Sequence, residues 1–192
     1  AATRSEEVAA RAGVSKGTLF LYFPSKDELF KAVVTENLSG RFAEWNREYE
    51  EFDGSTPDML RYCMRSWWER VGSTKVAGIT KLMITEGGNF PELAAFYQRE
   101  VVRPAHELVR RVLQRGIDRG EFAPLDLDHA LYAVVAPMMF LMLARHSVLA
   151  CVDDAAPLDP ERYLAVQAEI VLQGLCTPDG RRSAAQTAEA PW

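Results

Sequence analysis

The chain has 192 residues, of which 48% are hydrophobic and 26% are charged. This ordinary globular composition excludes a disordered or collagen-like chain. The formal net charge is −5, with 22 basic and 27 acidic residues, and on its own it argues against a nucleic-acid partner, because domains that bind nucleic acid are usually basic.

Apolar residues recur at spacings of three and four along almost the whole chain, which predicts an all-α protein. The predicted helices cover residues 4–12, 16–23, 26–49, 57–71, 74–86, 91–119, 128–149 and 160–175. Residues suited to capping helix starts are Ser15, Ser25, Thr56 and Asp159. Pro104 and Pro137 fall inside two of these helices, where each predicts a kink or a true break.

The first two predicted helices form a helix-turn-helix. Gly13 ends the first helix, where a left-handed conformation is wanted, and Ser15 caps the second. The positions expected to face inward are Val8, Ala9, Ala12, Val14, Leu19 and Phe23. The positions left facing outward are Lys16, Gly17, Thr18, Phe20 and Tyr22. A lysine, a threonine and two aromatic side chains on the start of a helix suit insertion into the major groove of DNA.

Residues 3–34, TRSEEVAARAGVSKGTLFLYFPSKDELFKAVV, resemble the DNA-binding domain of the TetR family of transcriptional regulators. The stretch AGVSKGTLFLYFPSKDEL lies close to the family consensus, with Phe20 where tyrosine is commoner. The resemblance implies a DNA-binding domain with a connecting helix at 1–42, and a larger helical ligand-binding and dimerisation domain at 43–176. Residues 177–192 are rich in small and polar residues, which predicts a flexible tail.

The resemblance also assigns contacts with a double-stranded DNA operator. Residues expected to touch the DNA backbone are Thr3, Ser15, Phe20, Tyr22 and Lys26, and those expected near base edges are Lys16, Gly17 and Thr18. The alternative is a helical pair that only packs. The family places a further helix before this motif, so we expect about 20–40 additional residues before Ala1 in the natural protein.

Bulky apolar residues in the larger domain predict either an ordinary core or an apolar ligand pocket between helices. The residues expected to contact a small hydrophobic effector are Trp67, Met83, Phe96, Arg103, His106 and Met139. Arg103, His106 and Arg110 are spaced by three and four and so share one helix face. That face could hold an anionic group of a ligand, or it could simply be solvated.

The last two predicted helices are apolar over wide faces. A single chain can bury such helices internally. By resemblance, the corresponding pair packs against its copy in a four-helix dimer interface, so we expect a homodimer. Two linked reading modules also bind DNA more tightly than one.

Three features bear on where the protein resides. No basic segment followed by an apolar one opens the chain, so no secretion signal is visible. The uncharged run at 130–144 is shorter than the roughly 20 residues of a membrane span, and Pro137 interrupts it. The three cysteines lie far apart without a CxxC motif, which favours reduced thiols. We therefore expect a cytoplasmic protein without a membrane partner.

These patterns together predict a DNA-binding transcriptional regulator. The simplest form is a repressor that binds a palindromic operator as a dimer and is released by a small hydrophobic effector. An activator or global regulator of the same family, or a small-molecule binding protein that has lost DNA binding, are the open alternatives. No catalytic motif, cofactor motif or set of metal ligands is evident, so we expect no enzyme, no cofactor and no metal site.

The net charge divides unevenly along the chain. Residues 1–26 hold four basic and two acidic residues and carry +2, which leaves −7 for the remainder. The helix-turn-helix segment is therefore mildly basic although the rest of the chain is acidic. The total charge no longer argues against a nucleic-acid partner.

Overall fold

A computed structural model describes residues 4–146 and 158–178 of the chain. Over these residues the chain forms ten α-helices, which confirms the predicted all-α class. The helices are α1 (Ser5–Arg11), α2 (Lys16–Tyr22), α3 (Lys26–Asn37), α4 (Phe42–Glu51), α5 (Thr56–Trp67), α6 (Ala77–Glu86), α7 (Pro91–Tyr97), α8 (Arg103–Asp118), α9 (Leu127–Arg145) and α10 (Pro160–Leu175).

The turn between α1 and α2 depends on Gly13. Its φ of 69° lies in the left-handed region, which a side chain with a Cβ rarely adopts. This conformation lets the Val14 amide donate back to the Ala9 carbonyl oxygen at 3.0 Å. The predicted end of the first helix is therefore confirmed, together with the physical reason for it.

The inward positions of this motif are confirmed only in part. Ala9 and Leu19 are buried, and Val8 and Phe23 are half-buried. The expectation that Ala12 and Val14 face inward is wrong, since both are exposed. The chain reverses direction at this point, and no segment within 4–146 or 158–178 covers that side of the turn.

Side-chain caps fix most helix starts where the sequence predicts them. Ser15 Oγ accepts a hydrogen bond from the Thr18 amide at 3.0 Å, and Ser25 Oγ accepts one from the Glu28 amide at 3.1 Å. Asp159 caps α10 in the same way. These caps confirm the predicted starts of α2, α3 and α10.

The cap of α5 differs from the prediction. Ser55, not Thr56, is the capping residue, and its Oγ accepts from the Asp58 amide at 3.2 Å. Thr56 is the first residue of the helix and is fully buried. Its hydroxyl accepts a hydrogen bond from Arg115 at 3.2 Å, and its amide donates to Glu121 at 3.0 Å. Thr56 therefore serves tertiary contacts instead of a cap.

The prediction of one helix over 26–49 is wrong, because the helix ends at Asn37 and a new one begins at Phe42. Leu38 leaves the helical conformation, with φ −129° and ψ −73°. A 3₁₀ turn at Ser39–Arg41 follows, in which a Cβ on Gly40 would lie 2.7 Å from the Thr35 carbonyl oxygen. Only glycine fits this close approach, so the turn requires the glycine at residue 40.

Both internal prolines lie within helical chain, so neither marks a true break. Pro104 is the second residue of α8, directly after a π-helical turn at Gln98–Val102. A widened turn gives the proline ring room beside the carbonyl group four residues earlier. Pro137 lies inside α9, and its carbonyl oxygen accepts a hydrogen bond from Tyr163 of α10 at 3.2 Å.

The helices pack around two apolar cores. The main core joins α5, α8, α9 and α10 through buried residues that include Leu60, Leu113, Leu131, Leu141 and Leu172. The second core joins α3 to α6 and α7 through Val34, Leu38, Met83, Leu93 and Tyr97. The helix that follows the helix-turn-helix is thus anchored in the second core.

α9 is long and apolar enough to pass a membrane-span test by length and composition. One side of it is buried in the main core, and its other side exposes Tyr132 and Phe140. α9 therefore packs on the main core with one side and leaves an apolar outer face on the other.

Phe122 closes the end of the main core. The segment around it pairs with the end of α10, since Ala123 donates to the Leu175 carbonyl oxygen at 2.8 Å and Thr177 donates to that of Glu121 at 3.0 Å. The ring is 1% exposed and lies directly against Gly116.

Phe122→Ala is expected to lower the free energy of unfolding by about 3–5 kcal/mol, because it leaves a cavity at a fully buried position. Urea denaturation followed by tryptophan fluorescence measures the change. Phe90→Ala is the matched control, since Phe90 is half exposed and its loss is expected to change stability by less than about 1 kcal/mol. Equal losses for the two variants would contradict this account of the core.

Candidate nucleic-acid interface and ligand cavity

The exposed start of α2 carries the residues that the sequence assigns to base edges. Lys16, Gly17 and Thr18 are all exposed. The Ser15 cap holds this first turn, because its Oγ accepts from the Thr18 amide and lies 2.8 Å from the Thr18 hydroxyl oxygen. A rigid, exposed helix start of this kind is the geometry with which helix-turn-helix proteins read the major groove.

The later residues of α2 present large side chains to solvent. Tyr22 is 73% exposed, as expected. The expectation that Phe20 faces outward is met only in part, because Phe20 is half-buried with the Lys16 ammonium 6.0 Å from its ring centre. Leu21, which the sequence reasoning passed over, is 79% exposed. It lies two positions from the inward Leu19, and that spacing alone could have identified it. Apolar side chains at such positions can contact thymine methyl groups.

Lys16 is paired within its own chain. Its Nζ lies 2.5 Å from Glu6 Oε1 on α1, and both side chains are more than half exposed. The hydrogen bond from Lys16 holds the pKa of Glu6 below its ordinary value. The ion pair crosses from α1 to α2, so it links the two helices at the surface assigned to DNA.

No contact within the described chain requires glycine at position 17. A Cβ built there would meet only Ser15 Oγ, at an ordinary 3.7 Å. Glycine inside a helix costs roughly 0.5–1 kcal/mol relative to alanine. No contact inside the described chain requires glycine here, although glycine lowers stability. The glycine at position 17 therefore suggests that a binding partner approaches the backbone closely.

The other two expected DNA contacts are Lys26 and Thr3. Lys26 is the first residue of α3, directly after the Ser25 cap, so it stands at a helix N-terminus. Such a terminus suits phosphate groups. Thr3 lies outside the residues that the structure describes. The remaining six expected contacts come together on α2 and its cap.

A cavity of about 650 Å³ lies in the larger part of the molecule. Side chains of α4, α5, α6, α8 and α9 contribute most of its wall, which is mainly apolar. Three of the residues expected to contact a ligand line it: Trp67, His106 and Met139. Its size lies within the range of pockets that hold small-molecule ligands.

The other three expected ligand residues lie elsewhere. Met83 is buried in the second core. Phe96 also packs against that core, with Lys31 and Arg99 within 6 Å of its ring centre. Arg103 lies on the outer face of α8, in a shallow depression next to the cavity. The assignment of these three residues to a ligand site therefore lacks support from the cavity wall.

One part of the cavity wall is polar, which the sequence reasoning did not anticipate. Arg70 donates from one guanidinium nitrogen to both carboxylate oxygens of Glu48, at 2.8 and 2.9 Å. The Tyr62 hydroxyl donates to the same carboxylate at 2.9 Å. Burial, with the Glu48 charge adding to it, raises the pKa of the nearby Cys63 to about 11, so this thiol stays protonated at neutral pH.

His106 and Tyr132 stand where the cavity wall passes from α8 to α9. Their rings meet edge to face, with centres 5.5 Å apart. Burial lowers the pKa of His106, and the charge of Arg110 lowers it further, so the imidazole is neutral at pH 7. Tyr132 is half exposed, so this part of the wall opens toward solvent.

The cavity also reaches the break between α3 and α4. Leu38, at the end of α3, and Phe42, at the start of α4, both line it. Leu38 is at the same time part of the second core, which holds α3. A molecule in the cavity would therefore contact the segment that connects to the helix-turn-helix.

Family models match most of the chain. Residues 1–33 match the model of bacterial regulatory proteins of the tetR family, and residues 53–175 match the tetracyclin repressor-like C-terminal domain. No curated protein sequence matches the chain.

Two solved structures have a similar fold. One is a protein of Mesorhizobium loti MAFF303099 assigned to the TetR-family transcriptional regulators, with 18% identity over 91% of this chain and 87% of that chain and a TM-score of 0.68. The other is the transcriptional regulator FadR of Bacillus subtilis in complex with stearoyl-CoA, with 19% identity over 90% of this chain and 88% of that chain and a TM-score of 0.71. At these identities the likeness concerns the fold.

Gly17→Ala is expected to change stability and DNA affinity in opposite directions. The free energy of unfolding should rise by about 0.5–1 kcal/mol, because alanine favours the helix and meets no clash. DNA affinity should fall, because the methyl group occupies space that a base edge or sugar would need. Chemical denaturation and fluorescence anisotropy with labelled DNA measure the two effects.

Gly78→Ala is the matched control. Gly78 is also the second residue of its helix, α6, and a Cβ there meets nothing within 4 Å. It should gain similar stability and keep full DNA affinity. If Gly17→Ala also kept full affinity, α2 would not approach DNA closely at this point.

Proposed function

The chain belongs to the TetR family of bacterial regulatory proteins and is a DNA-binding transcriptional regulator, and from this premise we propose that it is a repressor released by a small hydrophobic effector. In this proposal a homodimer binds a palindromic operator through α2. The effector enters the cavity in the larger domain and lowers the affinity for DNA. The division into a DNA-binding domain at 1–42 and a regulatory domain at 43–176 is part of the same proposal.

One observation supports a response of DNA binding to a ligand: the segment that connects α3 to α4 forms part of the cavity wall. Leu38 and Phe42 flank the break after α3, and both line the cavity. An effector that moves them also moves α3, which leads back to the helix-turn-helix. Such a link couples the two sites in both directions, so bound DNA should weaken effector binding by the same factor.

The character of the wall supports a hydrophobic effector. Trp67, Met139 and most of their neighbours in the wall are apolar, and methionine adapts well to loosely defined apolar ligands. The FadR structure with a similar fold contains stearoyl-CoA, which favours a ligand with a long apolar chain.

Exposed apolar side chains support a homodimer through α9 and α10. Phe140 of α9 and Tyr163 of α10 have ring centres 6.2 Å apart. Val166 and Ile170 extend the patch along α10 at helical spacing, and each is more than half exposed. A contiguous apolar patch of this kind on a soluble protein favours an interface, and a second copy supplies the same surface in return.

The proposal is tested first on DNA. Selection of bound sequences from a random DNA pool is expected to return a palindrome, and transcription in vitro from a promoter that contains it is expected to fall on addition of the protein. Increased transcription would instead identify an activator. Failure to select any sequence would favour the ligand-binding protein without DNA binding.

The effector response is tested with the apolar fluorescent probe N-phenyl-1-naphthylamine. The probe should bind the wild-type protein and weaken its affinity for the selected operator. Ala105→Trp fills part of the cavity and should lose probe binding while it keeps operator binding, because Ala105 lines the cavity. Ala43→Trp is the control, since Ala43 is exposed and lies outside the wall. Probe binding unaffected by Ala105→Trp would contradict the cavity as the effector site.

Ile170→Glu is expected to weaken the dimer by at least about tenfold, because it places a charge in an apolar interface. Analytical ultracentrifugation at micromolar concentration should show a shift toward monomer. Leu82→Glu is the matched control, since Leu82 is an exposed leucine of α6 outside the patch. A wild-type protein that sediments as a monomer would contradict the proposed interface.

A further inference from the structure

A shallow depression lies on the outer face of α8, next to the cavity. It is lined by Arg99, Arg103, Pro104, His106, Glu107 and Arg110. His106 lines the cavity as well. The depression and the cavity therefore meet at this one side chain, on the part of the wall where half-exposed Tyr132 contacts the His106 ring.

Arginine side chains dominate the lining of the depression, on an otherwise acidic body. Three arginines and a single glutamate line it, whereas residues 27–192 together carry a net charge of −7. Arg99 pairs with Glu100 at 2.7 Å, and Arg110 pairs with Glu107 at 3.1 Å and with Asp128 at 2.6 Å.

Arg103 differs from its two neighbours. It is exposed and has no ion pair or hydrogen bond to any side chain in the described part of the protein. An uncompensated guanidinium group is a fork of donors that matches a carboxylate or phosphate group. The spacing of Arg103 and His106 places both on the same face of α8.

The polar part of the cavity wall around Glu48 offers no such charge. There the Arg70 guanidinium group and the Tyr62 hydroxyl are already engaged by the Glu48 carboxylate. The charges of Arg70 and Glu48 cancel, so a charged group of a ligand would have to break an existing ion pair. The part of the wall at His106, where the cavity meets the depression, is therefore the better place for a charged group.

We propose that the effector is an amphipathic anion, whose apolar chain occupies the cavity and whose carboxylate or phosphate group binds Arg103 in the α8 depression. His106 lies at the junction between chain and head group. Arg99 and Arg110 keep their own carboxylate partners, so Arg103 is the residue that supplies the charge for the head group. This inference rests on the proposed effector site and names the chemical class of its ligand.

The test uses twelve-carbon probes that differ only in the head group, each competing with N-phenyl-1-naphthylamine. Dodecanoate and dodecyl phosphate carry the two anionic groups, dodecan-1-ol is neutral, and dodecylamine is cationic. At least one of the anions is expected to bind about tenfold more tightly than the alcohol, as a charge-assisted hydrogen bond predicts. The amine is expected to bind most weakly, and the stronger of the two anions identifies the head group.

Arg103→Gln should lower the affinity for the anionic probes to that for dodecan-1-ol, and should leave the affinity for dodecan-1-ol unchanged. Arg103→Lys keeps the charge without the planar fork and should recover part of the advantage. Arg47→Gln is the matched control, because Arg47 is an exposed arginine outside both the cavity and the depression. It should bind every probe as the wild-type protein does.

The outcomes separate this inference from the proposed function. If anions and alcohol bind equally, or if Arg103→Gln weakens all probes alike, the anion site is wrong while the hydrophobic effector site stands. If N-phenyl-1-naphthylamine itself fails to bind the wild-type protein, the cavity is not an effector site and both proposals fall.

Discussion

The chain turns between α3 and α4 because Gly40 passes close to the Thr35 carbonyl oxygen, leaving no room for a Cβ. This close approach ends α3 at Asn37 and redirects the chain so that α4 can line the cavity. The connection between the helix-turn-helix and the cavity therefore contains one tight backbone contact that only glycine allows.

The helix-turn-helix could be predicted because its determinants are local. A cap such as Ser15 acts on amides within the next turn of chain, and the left-handed turn needs only a glycine at residue 13. The break after Asn37 could not be predicted in this way. A single glycine is tolerated in many helices, and its effect here depends on how the backbone folds back on Thr35.

The residues that form the cavity wall are harder to predict from the sequence than the helix-turn-helix. Bulky apolar residues are visible in the sequence, but periodicity does not tell which of two cores each one joins. Trp67 and Met139 line the cavity, whereas Met83 packs into the second core. The polar contacts of Glu48 were hidden for the same reason, since its partners Tyr62 and Arg70 are 14 and 22 residues away in the chain.

The ion pair between Lys16 and Glu6 has a consequence for the ionic strength at which the protein works. A lysine side chain without an ion-pair partner increases DNA affinity by displacing counterions that are condensed on the duplex. Its contribution to DNA affinity therefore falls steeply as the salt concentration rises. To contact DNA as proposed, Lys16 must first leave a carboxylate of its own chain. Salt weakens that internal competitor as well, and the two effects partly cancel. Binding to the proposed operator should therefore respond less to changes in ionic strength than the number of basic residues suggests.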